Sequence, residues 1–136
     1  MLEGIFTGFS TAFTLTNICM VFSGVVAGTL IGMLPGLGPI SDIALMIPIT
    51  HGVDSASGLI LMAGGYYGAV FGGSTSSILI NAPGVAGTVA TAFDGYPLTR
   101  KGQAGKALAV AAYASFAGGT IGAVFLLLGA PVLAGV

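Results

Sequence analysis

The chain has 136 residues, 55% of them apolar and only 5% charged, and its three cationic and four anionic side chains leave a formal net charge of −1. A soluble domain carries about 25% charged residues, and the mean hydropathy here is +1.06. These values exclude an ordinary soluble enzyme, a nucleic-acid binder and a disordered tail.

The charges fall in three short blocks, 1–3, 42–54 and 94–106, and the stretches between and after them carry none. A spanning helix needs about 20 mostly apolar residues, so the chain reads as an all-α integral membrane domain. Its apolar runs at 21–34 and 107–128 are continuous, whereas a barrel alternates in strands of about ten residues. The 24 glycines show no three-residue period, which excludes collagen and leaves close helix contact as their use. Cys19 is the sole cysteine, so it forms no internal disulfide and reads as a small packing residue.

Residues 1–15 place Leu2, Ile5, Phe6, Phe9 and Phe13 at helical spacing with polar residues between, the pattern of an interfacial amphipathic helix. A first span follows at 16–34, with Gly24, Gly28 and Gly32 four apart. Leu34 to Pro39 holds two prolines and two glycines and cannot continue a regular helix. Ile40 to Thr50 is apolar but too short to cross, so 34–50 reads as a broken or half helix, re-entrant or otherwise. A second span is expected at 56–73. Ser74, Thr75, Ser76 and Ser77 then interrupt the apolar run, and Asn81-Ala82-Pro83-Gly84 follows, so 74–93 reads as a hydroxyl-rich broken or re-entrant segment. Residues 94–106 open with Asp-Gly and contain Pro97, which predicts a loop. All three cations, Arg100, Lys101 and Lys106, lie in it, placing it on the cytoplasmic side. The last span is expected at 107–128.

The two Pro-Gly interruptions carry the functional reading. Non-helical backbone at membrane depth persists only inside protein or beside a water-filled cavity, and interrupted hydrophobic segments point to a transporter's binding site. Half-helix N-termini offer amides and partial positive charge to a carboxylate, while freed carbonyls suit a sodium ion. Hydroxyls at 74–77 and the Asn81 amide add polar ligands; the competing reading is a proline kink with serines bonded back to their own helix. Asp42 suits either a cation- or proton-carrying role or the stabilisation of a helix start. Asp54 reads as a helix cap, His51 as an interfacial residue and Asp94 as part of a turn. Zinc motifs, dinucleotide loops and P-loops are missing from the sequence, so no ATP-driven step is expected. An enzyme using Asp42 and His51 would have to bring together residues about 13 Å apart along a helix. The chain is therefore read as a non-enzyme.

Three stretches, LPGLGPISDIALMIPIT (34–50), YYGAVFGGSTSSILINAPG (66–84) and TAFDGYPLTRKGQAGKAL (91–108), resemble the large membrane subunit (TctA-type) of bacterial tripartite tricarboxylate transporters. The resemblance implies a multi-pass inner-membrane permease subunit of a Na+- or H+-coupled symporter for citrate-like carboxylates. It further implies a small membrane subunit and a periplasmic solute-binding protein as partners, and no cofactor beyond the coupling ion. Carried over, the substrate and ion region comprises Gly36, Gly38, Pro39 and Asp42 together with Ser74, Thr75, Ser76, Ser77, Asn81, Pro83 and Gly84. Asn81 and Ser76 are candidate sodium ligands. The resemblance also implies a neutral residue at 42 and often a polar or acidic one at 85, where this chain has Asp42 and Val85. On this reading 1–136 is the N-terminal part of a larger subunit, needing the remainder of that subunit to complete a site. The alternative is a non-transporting helical scaffold whose glycines only pack helices.

Overall fold

The computed structural model describes residues 2–134, and every regular element among them is helical. In chain order they are α1 (Leu2–Ala12), α2 (Leu15–Gly32), α3 (Pro39–Thr50), α4 (Ser55–Ile80), a 3-10 turn (Ala86–Thr88), α5 (Val89–Arg100) and α6 (Ala104–Ala134). The protein is an all-α membrane protein: α2 and the Ala104–Ala130 stretch of α6 are long and apolar enough to cross a bilayer.

The fold is built on the α2/α4 pair, and glycine explains why. A β-carbon at Gly24, Gly28 or Gly32 would overlap the carbonyl oxygens of Leu61, Gly65 and Ala69. Reciprocally, a β-carbon at Gly64, Gly68 or Gly72 would overlap those of Val21, Val25 and Thr29. Each helix thus presses bare backbone against the carbonyls of the other, a spacing only small residues allow. Close Cα–H to carbonyl contacts add a weak attraction there. Partner numbers rise together along both helices, so α2 and α4 are parallel.

Parallel pairing dictates what lies between them. Starting from the end of α2, the chain must travel back along the pair before α4 can begin. Residues 33–54 therefore traverse it, and the re-entrant alternative for 34–50 is corrected: a re-entrant segment would start α4 beside the end of α2. Instead Ser57, in the first turn of α4, donates its hydroxyl to Asn17 Oδ1 at 2.5 Å, at the start of α2. The Asn17 amide in turn donates to the Thr11 carbonyl at 2.7 Å, fixing the end of α1. The twelve residues of α3 cover about 18 Å, and the flanking stretches cover the rest.

Two further boundaries differ from expectation. Ser74 to Ser77 do not interrupt the helix, because α4 runs unbroken to Ile80 with each hydroxyl bonded to a carbonyl three or four residues back. The second break is confined to 81–85. Residues 94–100 are not loop but the second half of α5, Pro97 included. Packing overrides the turn chemistry there: a β-carbon on Gly95 would press on the Ile78 side chain, and Thr99 donates its hydroxyl to the Ile78 carbonyl at 2.8 Å. The helix ends one turn later at Gly102, whose φ is +76°. Gln103 there donates its amide to Leu98 O and Gly102 to Thr99 O, the paired bonds of a Schellman cap.

Beginning beside Ile78, α6 passes Tyr67 at Gly119 and reaches α1 near Leu126, so it runs antiparallel to α4. Phe9 of α1 and Phe13 just beyond its end are exposed, and their rings stack with centroids 6.2 Å apart.

The α2/α4 contact predicts a position-dependent cost for adding one methyl group. Gly28→Ala is expected to destabilise the protein by about 1–3 kcal/mol through overpacking. Gly118→Ala, in open space on α6, should be neutral or stabilising by up to about 1 kcal/mol. Thermal unfolding in detergent distinguishes the two, and equal shifts would contradict the contact.

A second expectation concerns acid. Asp54 caps α4, accepting the Ser57 amide at 3.1 Å, and the Ser57 side chain and backbone beside it hold its carboxyl below the usual range. A lowered folded value means the capping contribution is complete above the unfolded value, near pH 4, and is lost as pH falls through the folded one. The melting-temperature gap between wild type and Asp54→Ala should therefore be widest at neutral pH and narrow in acid.

Candidate functional site

The first interruption is a real turn. Leu37 donates its amide to the Leu34 carbonyl at 3.1 Å, with Pro35 second and Gly36, at φ +87°, third. That is a type II turn, whose third position requires positive φ and hence glycine. Gly38 then caps α3 in an extended conformation without any side-chain hydrogen bond, and Pro39 takes the first helical position, where its missing amide costs nothing. The opening amides of α3 are thus left without a side-chain acceptor.

The second interruption starts at Asn81, which adopts a left-handed conformation (φ 54°) and donates its amide to Ser76 O. Asparagine tolerates that region better than other side chains, and Pro83 prevents the helix from resuming. The chain then doubles back on α4: a β-carbon on Gly73 would lie 2.7 Å from Val85 Cγ2 and 3.6 Å from Thr88 Cγ2.

The two interruptions meet. A β-carbon on Gly38 would lie 3.2 Å from Val85 Cγ1 and 3.7 Å from Gly84 O. One on Gly84 would lie 3.0 Å from Gly32 O and 3.8 Å from Leu34 O. Because Gly72 of α4 is level with Thr29 and Met33, α2 stops two turns before α4 does, a difference of about 12 Å. The two Pro-Gly segments occupy the space beyond its end. Backbone from 32–39 and 81–85 is therefore concentrated inside the length of the bundle, about 12 Å short of the end that carries Arg100 and Lys101. Gly36, Asn81 and Pro83 are exposed on this chain's surface, Gly38 and Gly84 are half-buried and Pro39 is buried.

Other candidate residues lie elsewhere. Thr75, Ser76 and Ser77 are buried and spend their protons on the carbonyls of Phe71 and Gly73, so the back-bonding reading describes them. Ser74 is half-buried and lines a hollow of about 400 Å³ between α4, α5 and α6, with Thr91, Asp94, Lys106 and Ser115 around it. The sequence did not announce that hollow, since residues 94–100, the second half of α5, read as loop. Asp42 is brought to neither place. It sits at the end of the first turn of α3, fully buried, with both carboxylate oxygens lacking a hydrogen-bond partner. Its Oδ2 faces Gly65, where a β-carbon would run into it. Among the described residues no group of three metal-ligating side chains occurs.

The buried Asn17–Ser57 link was likewise unanticipated; its signal was a lone amide in an otherwise apolar run. Asp54 is the helix cap that the sequence suggested, and His51 lies exposed just beyond α3.

Comparison with known proteins adds a family. The tripartite tricarboxylate transporter TctA family matches residues 18–136. A protein of Agrobacterium vitis, described as an "Uncharacterized 52.8 kDa protein in TAR-I ttuC' 3'region", is 48% identical over all 136 residues. The chain spans 27% of that relative's length. No solved structure matches.

Proposed function

Because the chain belongs to the tripartite tricarboxylate transporter TctA family, we propose that it forms part of the permease subunit of an ion-coupled symporter for tricarboxylates or related carboxylates. In this reading the subunit lies in the bacterial inner membrane as a multi-pass protein, coupled to Na+ or H+. It works with a small membrane subunit and a periplasmic solute-binding protein, and the remainder of its own length completes the site. Arg100, Lys101 and Lys106 face the cytoplasm by the positive-inside rule, and α6 runs outward from them.

One observation carries this reading: the two interrupted segments converge beyond the foreshortened end of α2. There the α3 N-terminus begins with Pro39, which has no amide hydrogen, and its Ser41 and Asp42 amides bond the Gly38 carbonyl. That leaves the Ile40 amide and the positive dipole end of the helix for the space, an arrangement suited to a carboxylate. The carbonyls of Gly32 and Leu34, on the other side of Gly84, suit a cation. Both charges of a co-transported pair thus find backbone partners without an arginine or lysine in the junction.

The test is uptake of labelled tricarboxylate by the full-length subunit with its partners. Gly84→Val, which crowds the Gly32 and Leu34 carbonyls, should reduce uptake tenfold or more, the order expected of a displaced binding segment. Ser76→Ala, whose hydroxyl only bonds Gly73 O, should leave uptake near wild type. Unchanged uptake in a properly assembled Gly84→Val complex would favour the scaffold alternative.

A further inference from the structure

Asp42 is enclosed by this chain alone. It has no accessible surface and neither oxygen accepts a hydrogen bond. Around it are the α-carbon side of Gly65 and the Met46 thioether, whose Sδ and Cε lie 2.6 and 2.8 Å from where a Gly65 β-carbon would sit. Gly65 makes the room; any side chain there would displace the carboxyl. No charged group from a neighbouring element compensates it, since α2 and α4 contain no Asp, Glu, Lys, Arg or His. Their titratable residues, Cys19, Tyr66 and Tyr67, are exposed on the outer faces. The remaining residues of α3 are not titratable, and His51 is exposed beyond its end.

An ionised carboxylate in such surroundings is strongly disfavoured, and a buried group of this kind neutralises instead. Two cations can neutralise it. A hard metal ion needs several oxygen ligands at once, and the Gly65 carbonyl faces Gly28 of α2 rather than Asp42. A proton needs no shell at all. The helix that carries Asp42 is short and bounded by non-helical chain on both sides: twelve residues long, it is flanked by the Leu34–Gly38 turn and by the largely exposed 51–54 turn containing Gly52. Its outer residues Ile40, Leu45 and Ile49 are exposed.

We infer that Asp42 is a proton carrier, holding a proton while α3 is closed on Gly65 and releasing it when α3 shifts and water reaches the carboxyl. This rests on the ion-coupled transport reading and names the coupling ion as H+.

The test uses the full-length subunit in membranes treated with dicyclohexylcarbodiimide, an apolar reagent selective for protonated carboxyls. The carboxyl proton passes to a carbodiimide nitrogen while its oxygen bonds the central carbon. The adduct then rearranges to a stable N-acylurea with nothing leaving. Peptide mass spectrometry should find the adduct at Asp42. Its yield should fall about tenfold per pH unit on the alkaline side of the titration and stay unchanged when sodium replaces potassium. Protection by sodium, or labelling independent of pH, would overturn the proposal. Infrared spectroscopy provides a reading independent of reagent access: wild type at neutral pH should show a protonated-carboxyl C=O band that Asp42→Asn lacks, and equal spectra would overturn it. Neither measurement needs a substrate, so both stand apart from the identity of the carboxylate. Carboxylate uptake that is sodium-driven and insensitive to a pH gradient would remove the coupling role while leaving the transport reading intact.

Discussion

The rest of the molecule follows from the backbone-to-backbone contact of α2 and α4. In lipid, helices gain nothing from hiding apolar surface from one another, so they associate where small residues let their backbones approach closely. Six glycines, three on each helix, meet opposing carbonyls in a regular alternation, and that alternation fixes the pair as parallel. A parallel pair obliges the intervening chain to return along its length. The return segment has to be narrow, broken or both, because it runs beside two helices already in contact. α3 is what results: a short helix entered through a proline-glycine turn.

That constraint also sets the depth of the interruptions. α2 ends where Gly72 meets Met33, two turns short of the end of α4, and a full-length helix there would leave no space for anything else. The second interruption folds back into that same space, with Val85 reaching Gly73. Peptide groups that a continuous helix would have consumed are collected at one level in the bundle. The helix ends contribute opposite partial charges, amides from α3 and carbonyls from α2. A polar site thus arises in an apolar chain from where helices stop rather than from which charged residues it contains.

Local chemistry was legible in the sequence and long-range pairing was not. The four-residue recurrence of Gly24, Gly28 and Gly32 announced a contact face, and Pro35-Gly36 with Gly38-Pro39 announced a break, because both depend only on near neighbours. Ser74 to Ser77 looked like an interruption on polarity alone. Yet a hydroxyl that bonds the carbonyl of its own preceding turn is compatible with a buried helix, and all four do so. Asp94-Gly95 and Pro97 carried turn signals that the contact of Gly95 with Ile78 overrode. The match of Gly24 with Leu61, thirty-seven positions away, leaves no trace in either segment alone. Parallel pairing, the enclosure of Asp42 and the Asn17–Ser57 bond all depend on it, so they emerged only with the structure.

The distribution of residue types between inside and outside is the reverse of that in a water-soluble domain. Buried positions are glycines, alanines and hydroxyl or amide side chains such as Asn17, Ser57, Ser76, Ser77 and Thr88, with few large apolar ones. Large apolar residues face outward, as Phe125 at 73% exposure and Leu126 at 70% show on α6. Such a surface suits lipid tails or further apolar helices, and such an interior holds together by close approach and by internal hydrogen bonds. Every buried hydroxyl and amide just named has a partner within the chain. Among the described residues Asp42 alone does not. In an interior otherwise satisfied group by group, an unpaired carboxyl against a glycine is not a by-product of packing, since a neutral residue of similar volume would serve packing better. What distinguishes Asp42 from such a residue is its capacity to gain and lose charge.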